Sequence, residues 1–188
     1  MPEENEIYPD KNKPEFDFGE MGSILEGKFR PGHFNGVAQV VKRLFEIVNP
    51  YKAYFGSKDF QQVMIVQELI KKMNFKIQLV SCPIIREEDG LAMSSRNVLL
   101  NSEERKIASI IPKIMNSARE TVLSQGISRA KKFIENEIIH QPLMKLDYYE
   151  VCDIESLKPV LEIESHKKYI SLIALFVGKI RLIDNLGL

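Results

Sequence analysis

Residues 37–80 decide the fold of this chain, and they read VAQVVKRLFEIVNPYKAYFGSKDFQQVMIVQELIKKMNFKIQLV. The first part predicts an amphipathic helix that ends at Asn49-Pro50, because a proline disfavours helical geometry in the residue before it. The segment KAYFG (52–56) then predicts a strand, a second helix follows, and KIQLV (76–80) alternates like another strand. The apolar positions expected to face the core are Val37, Val40, Val41, Leu44, Phe45 and Val48 in the first helix, and Val63, Val66, Leu69, Ile70 and Met73 in the second.

The order helix–strand–helix–strand with short connections indicates a parallel α/β sheet. A crossover of this kind is right-handed and brings the strand ends to one edge, where the ligands of such sheets collect. Two strands are few for an independent sheet, so we expect it to be incomplete on its amino-terminal side. We therefore predict part of a Rossmann-like domain over residues 1–82, in which Met1–Gly27, with Pro2, Pro9 and Pro14, is loop.

Residues 83–188 predict a second, smaller unit of the α+β type with antiparallel strands. After a polar loop, an Asn-Ser-Glu-Glu sequence has the pattern of a capping box, in which Asn101 caps a helix and Glu104 reaches back. We expect this helix to run to Val122 with a bend at Pro112. The elements expected next are a helix from Ser128 to about His140, after a stop at Gly126, a strand from Leu146 to Cys152, and a hairpin of Lys168–Val177 and Ile180–Asp184 around Gly178-Lys179.

Composition argues against several classes of protein. Lys plus Arg and Asp plus Glu number 26 each, so the chain carries no basic excess and we expect no nucleic-acid partner. No apolar run is long enough to span a membrane, and the first ten residues lack the basic and apolar regions of a secretory signal. Cys82 and Cys152 lie far apart without metal-ligand spacing, which predicts free thiols in a reducing cytoplasm and no metal site.

The first candidate site is the turn Phe55–Gln62 between a predicted strand and the following helix. Gly56 allows a ligand to approach the backbone closely, and the first amides of the helix can bind an anion. Lys58 adds a movable charge suited to phosphate, and Gln62 can offer a donor and an acceptor to a hydroxy acid. The alternative is an ordinary connection with a solvated Lys58–Asp59 pair.

The second candidate is the segment Met93–Asn97 in the polar loop. The hydroxyls of Ser94 and Ser95 beside the guanidinium of Arg96 can hold several phosphate oxygens at once. Such a loop between two domains is suited to closing over a nucleotide. Taken alone, the Ser-Ser-Arg motif is weak, and a solvent loop ahead of a capped helix is the favoured interpretation.

The third candidate is the sequence Arg30-Pro-Gly-His33, in which a turn precedes the first long helix. Pro31 and Gly32 fix the positions of Arg30 and His33. The alternative is simple turn chemistry with an incidental histidine.

These segments together resemble the signature sequences of the pantothenate synthetase (pantoate–β-alanine ligase) family. The stretches that carry the resemblance are LEGKFRPGHFNGV (25–37), YFGSKDFQQ (54–62) and PIIREEDGLAMSSRN (83–97), and the tail sequences LDYYEVCD (146–153) and RLIDN (181–185) continue it. The resemblance implies a fold of the HUP/nucleotidyltransferase superfamily, related to class I aminoacyl-tRNA synthetases. Residues 1–82 would then be the remainder of the nucleotide-binding domain, and residues 83–188 a carboxy-terminal lid domain.

The resemblance also implies roles for individual residues. It places Lys58, Ser94, Ser95 and Arg96 at the reacting phosphates as catalytic groups, with the last three in the family's version of a KMSKS loop. The residues implied to bind ATP are Gly56, Ser57, Lys58, Asp59, Ile85, Met93, Ser94, Ser95 and Arg96, where Ser57 replaces the family's usual glutamate. Gln62 is implied to bind pantoate, and Arg30 and His33 lie in a segment that borders the pantoate pocket.

The family's reaction is the ATP-dependent condensation of pantoate with β-alanine through pantoyl adenylate, a step towards coenzyme A, in cytoplasmic homodimers that use Mg²⁺. Family members begin with a strand and an HxGH motif, and neither occurs in these 188 residues. We therefore expect the chain to be the carboxy-terminal two-thirds of such an enzyme and to be inactive alone. Two other interpretations stay open, namely a related adenylate-forming ligase with a different acid and a non-catalytic binding or oligomerisation fragment.

Overall fold

The computed structural model describes residues 3–8 and 14–188, and the chain divides into two compact units, residues 1–82 and 83–188. The predicted mixed α/β class is confirmed, because a parallel sheet lies in the first unit and an antiparallel sheet in the second. The helices are α1 (Glu4–Ile7), α2 (Glu26–Phe29), α3 (His33–Val48), α4 (Phe60–Lys72), α5 (Ser102–Ala108), α6 (Ile111–Gln125) and α7 (Ile127–Ile139). The strands are β1 (Lys52–Gly56), β2 (Gln78–Cys82), β3 (Met144–Asp153), β4 (Tyr169–Val177) and β5 (Ile180–Gly187).

In the first unit, β1 and β2 pair in parallel with Lys52 opposite Gln78. Strand β1 has the predicted bounds, whereas β2 begins two residues later than predicted. The core of this unit joins both helices to the sheet and contains Phe45, Ala53, Val66 and Ile77. Helix α4 connects the strands, so that its first turn lies at the carboxyl end of β1.

Helix α3 starts earlier than its apolar pattern predicts, at His33, because Gly32 adopts a left-handed conformation (φ 79°) at its amino-terminal cap. The predicted core face is wrong in part: the buried residues of α3 are Phe34, Ala38 and Phe45. The predicted core residues Val40, Leu44 and Val48 are instead 47%, 48% and 65% exposed. The helix carries two apolar stripes, and the stripe with the small Ala38 allows the closer packing.

The loop predicted for Met1–Gly27 is wrong in part, because α1, the start of α2 and a 3-10 turn at Gly19–Gly22 interrupt it. Helical segments of four residues are too short to show a periodic apolar pattern, so they leave no signal for sequence reasoning. The part of this prediction that concerns residues 1–2 and 9–13, with Pro2 and Pro9, lies outside the described residues.

The second unit follows the predicted order of elements, with strand order β3-β4-β5. The capping box of Asn101 and Glu104 is confirmed at the start of α5. The single bent helix predicted around Pro112 is wrong, since α5 ends at Ala108 and Pro112 lies in the first turn of α6. Proline lacks the amide hydrogen that a helix interior requires, and the first turn is where this lack costs least.

Gly178 turns the β4–β5 hairpin in a left-handed conformation (φ 56°). A Cβ atom added there would lie 1.9 Å from Oε1 of Glu104, the residue whose carboxylate accepts from the Asn101 amide in the capping box. The carboxylate of Glu104 therefore lies directly against the hairpin turn while it accepts a hydrogen bond at the start of α5.

Candidate functional site

The βα turn of the first unit contains the predicted ATP-binding segment Gly56–Asp59. Gly56 ends β1 in an extended conformation with open space at its Cβ position, and a 3-10 turn then leads into α4. The side chain of Asp59, the amino-terminal cap residue of α4, makes no capping hydrogen bond. The side chain of Lys58 is 19% exposed, and its Nζ lies 3.3 Å from the Asp59 carboxylate. A cationic group therefore stands at the carboxyl end of a parallel strand, where an anionic ligand of this fold would bind.

Arg30 and His33 are brought together by the turn between α2 and α3. Nη1 of Arg30 lies 2.9 Å from Nε2 of His33 and 4.0 Å from Oε2 of Glu26, whose side chain is 11% exposed. Because arginine can only donate, the imidazole nitrogen must accept in this contact. The histidine is therefore part of an organised polar group.

Gln61, which sequence reasoning missed, is the buried glutamine at the start of α4, with 3% exposure. Its Nε2 donates to the carbonyl oxygens of Met21 (2.8 Å) and Ile24 (2.9 Å), and its Oε1 accepts from the amide of Glu26 (3.0 Å). The neighbouring Gln62, predicted to bind substrate, is only half-buried. Gln61 thus ties the segment that leads into Arg30 and His33 to the first turn of α4.

In the second unit, a network of backbone hydrogen bonds shapes the loop that carries the Ser-Ser-Arg motif. The amide of Met93 donates to the carbonyl of Ile85 at 2.9 Å, so these two predicted ATP contacts are neighbours. Oγ of Ser94 accepts from the amide of Arg96 at 3.2 Å. Nη1 of Arg96 donates to the carbonyl oxygen of Arg181 in β5 at 2.8 Å, which ties the motif to the sheet.

A second tie between this loop and β5 is the ion pair of Arg86 and Asp184. The guanidinium donates through Nη1 to Oδ2 (2.8 Å) and through Nη2 to Oδ1 (3.0 Å), and Nη1 also reaches the carbonyl of Gly90. The carboxylate is 3% exposed and the guanidinium side chain 30%. This forked geometry fixes both direction and distance, so we expect the loop to move with its unit rather than by itself.

The same loop is tied at its tip to α5. Asp89 accepts from Nη1 of Arg105 at 2.6 Å, and this hydrogen bond holds the pKa of the Asp89 carboxyl below its usual value. The pKa of Arg105 is correspondingly raised by the carboxylate. Asn97 closes the loop by donating to Glu87 and to the carbonyl of Ala92, both at 3.1 Å.

The predicted site residues thus form two groups, one in each unit. Arg30, His33, Gly56–Asp59 and Gln62 belong to the first unit, and Ile85 with Met93–Arg96 to the second. Within residues 3–8 and 14–188 there is no group of three or more His, Cys, Asp or Glu side chains able to hold a metal ion. Across the same described ranges, every helix is too short or too polar to cross a membrane.

The two units, with a βα turn bearing a lysine and a loop bearing a Ser-Ser-Arg motif, define a mixed α/β protein with two polar candidate sites. A family model described as Pantoate-beta-alanine ligase matches residues 1–187. The chain belongs to this family.

Curated relatives and solved structures agree with this assignment. The chain is 42% identical over 185 residues to the pantothenate synthetase of Bacteroides fragilis and 44% identical over 188 residues to that of Christiangramia forsetii. It covers 66% of the length of each, while 98% and 100% of the chain itself is matched.

Among solved structures, the pantothenate synthetase of Thermus thermophilus superposes with a TM-score of 0.87 at 37% identity, over 97% of this chain and 66% of that one. The pantoate-beta-alanine ligase of Francisella tularensis, complexed with beta-gamma ATP and beta-alanine, gives a TM-score of 0.73 at 34% identity. That match covers 97% of this chain and 61% of the other.

Proposed function

We propose that the protein to which this chain belongs condenses pantoate with β-alanine, using ATP and forming pantoyl adenylate as the intermediate. The observation that carries the proposal is the match of nearly the whole chain to this one ligase family. The Francisella relative, complexed with beta-gamma ATP and beta-alanine, supports the choice of substrates. The chain supplies chemical groups that suit an anionic nucleotide and a hydroxy acid.

In the first step, a carboxylate oxygen of pantoate attacks the α-phosphorus of ATP. The bond from that phosphorus to the bridging oxygen breaks, and pyrophosphate leaves with the electron pair. Negative charge spreads over the phosphate oxygens in the transition state, and Lys58, Ser94, Ser95 and Arg96 are the groups proposed to stabilise it. Ile85 and Met93, with Gly56, Ser57 and Asp59, are the proposed binding positions for the rest of ATP.

In the second step, the amine nitrogen of β-alanine attacks the acyl carbon of pantoyl adenylate. The bond from that carbon to the AMP oxygen breaks, AMP leaves, and the nitrogen loses a proton to give the amide. Gln62, Arg30 and His33 are the proposed contacts of the pantoyl part, because they offer both donors and acceptors to its hydroxyl groups.

Mg²⁺ would reach the site on the phosphates of ATP and would supply positive charge there. This mode of binding needs no cluster of protein ligands, which fits the donor set of the described residues. We further propose that residues 1–82 belong to the nucleotide-binding domain and residues 83–188 to a lid, in a cytoplasmic homodimer. The free thiols of Cys82 and Cys152 suit a reducing compartment.

Two forms of the protein test the proposal: the chain alone, and the chain joined to the part of the Bacteroides fragilis relative that it does not match. Pyrophosphate release is measured with a panel of hydroxy acids. We expect the joined protein to require pantoate and β-alanine, and the chain alone to be silent because it contains no HxGH sequence. A preference for another acid would assign it to a related adenylate-forming ligase, and pantothenate formation by the chain alone would contradict the need for HxGH.

Lys58→Ala tests the proposed phosphate contact in the joined protein. Because a preorganised cation is lost, we expect kcat for pyrophosphate release to fall by about 10²–10³-fold. The matched control is Lys71→Ala in the last turn of α4, where the side chain is 66% exposed and pairs loosely with Glu68 at 3.7 Å. An undiminished kcat in Lys58→Ala would remove Lys58 from the mechanism.

A further inference from the structure

The backbone at Leu25 has a conformation that side-chain-bearing residues rarely adopt. Its φ of 48° and ψ of −123° resemble the first central position of a type II′ turn, which glycine usually occupies. Leu25 is nevertheless 5% exposed and lies directly before α2. Strained residues of this kind persist only where their surroundings hold them, and they cluster at functional sites.

The structure shows what holds this turn. The side-chain amide of Gln61 spans Leu25, because it donates to the carbonyl of Ile24 on one side and accepts from the amide of Glu26 on the other. Its second donor hydrogen reaches Met21, so both donor hydrogens and the acceptor oxygen of the buried amide are engaged, and these three contacts form a clamp on the turn. The chain also packs closely on itself here, since a Cβ atom at Gly27 would lie 2.1 Å from a backbone oxygen.

The turn determines where the polar group that follows it lies. Glu26 is the first residue of α2, and its carboxylate approaches Arg30, which in turn contacts His33. On the α4 side of these hydrogen bonds, Gln61 immediately precedes Gln62. One buried amide therefore links the two sets of side chains that are assigned to the acid substrate.

We propose that Gln61 is a positioning residue that holds the strained Leu25 turn, and thereby fixes Arg30 and His33 relative to Gln62 for binding of the hydroxy acid. The substrate part of this inference rests on the proposed function, whereas the clamp itself does not. Gln61 acts through its hydrogen bonds to the backbone of Ile24 and Glu26.

The clamp is tested on the chain itself with two pairs of variants. Leu25→Gly and Leu25→Ala both lose the buried side chain, but only glycine relieves the backbone. We expect the urea midpoint of Leu25→Gly to equal or exceed that of Leu25→Ala. The usual order is the opposite one, and finding a lower midpoint for Leu25→Gly would contradict the inference that the backbone at Leu25 is strained.

In Gln61→Met we expect hydrogen exchange of the Glu26 amide to accelerate at least tenfold, while the adjacent control Gln62→Met leaves it unchanged. Equal exchange in the two variants would overturn the clamp.

The positioning role is tested by steady-state kinetics of the joined protein. We expect Gln61→Met to raise KM for the hydroxy acid at least tenfold while KM for ATP stays unchanged, a split that general loss of stability does not produce. Gln61→Glu would place a carboxylate against the carbonyl oxygens of Met21 and Ile24, so we expect the rise in this variant to be at least as large. Unchanged KM for the acid, or equal rises for acid and ATP, would overturn the role. Turnover of a different acid with the same split would sustain the role and refute only the proposed substrate.

Discussion

Replacing Asp184 by asparagine isolates the contribution of the ion pair that ties the Ser-Ser-Arg loop to β5. The asparagine amide group would point a donor at a guanidinium that can only donate, and one of the two bonds at 2.8 and 3.0 Å would be lost. Removal of one partner of a buried pair typically costs about 3–5 kcal/mol. Because the side chain of Arg86 is 30% exposed and can reach water, we expect the lower end of this range.

A loss of about 3 kcal/mol lowers the urea midpoint by about 1.5 M, if the m value is about 2 kcal/mol/M. Circular dichroism is the appropriate probe because the chain has no tryptophan. Hydrogen exchange of β5 amides then assigns the transition to the unit of residues 83–188. The amide of Met93, which bonds to Ile85, should also exchange faster, because the loop loses its tie to the sheet.

The matched control is Glu150→Gln, which breaks the pair of Glu150 with Lys131 in the same unit. That pair is shorter still, at 2.6 Å, but its side chains are 27% and 33% exposed. Exposed pairs contribute about 0–1 kcal/mol, so the midpoint should fall by no more than about 0.5 M. If the urea midpoints of both variants shift equally, burial of Asp184 does not set the strength of its ion pair.

Two further outcomes follow from shifted pKa values. Burial raises the pKa of the Cys152 thiol to about 12, so at pH 8 a thiol reagent should modify Cys82 in the folded chain and leave Cys152 unmodified; rapid modification of both would contradict this. The hydrogen bond from Arg105 lowers the pKa of Asp89 from its ordinary value of 3.8. The ionised carboxylate therefore stabilises the fold fully at pH values above 3.8, and this stabilisation is lost as the pH falls further. The stability difference between the unmodified chain and Asp89→Asn should therefore shrink below about pH 4 in urea titrations, and a constant difference would refute the linkage.

The order of the main elements could be predicted from the sequence because caps and turns act locally. Asn101 and Glu104 specify a helix start, and Gly126 specifies a stop, whatever packs around them. The face of α3 could not be predicted in the same way. Its two apolar stripes have the same period, and only tertiary packing selects the one with Ala38.

Part of the candidate site was equally beyond sequence reasoning. The motifs identify the βα turn and the Ser-Ser-Arg loop, but no local pattern shows that Asp184 bonds to Arg86, since the pair spans most of the second unit. Gln61 did leave a signal. It lies four and eight residues before Ile65 and Leu69, both fully buried, so it is a polar residue at a core position.

The hairpin turn at Gly178 constrains how this protein can vary. Tips of hairpins ordinarily accept substitution and insertion readily. Here a side chain at Gly178 would displace the carboxylate of Glu104, which also completes the hydrogen bonding of the first turn of α5. Gly178 and Glu104 should therefore be retained or replaced together. Tags or loop grafts should be placed elsewhere.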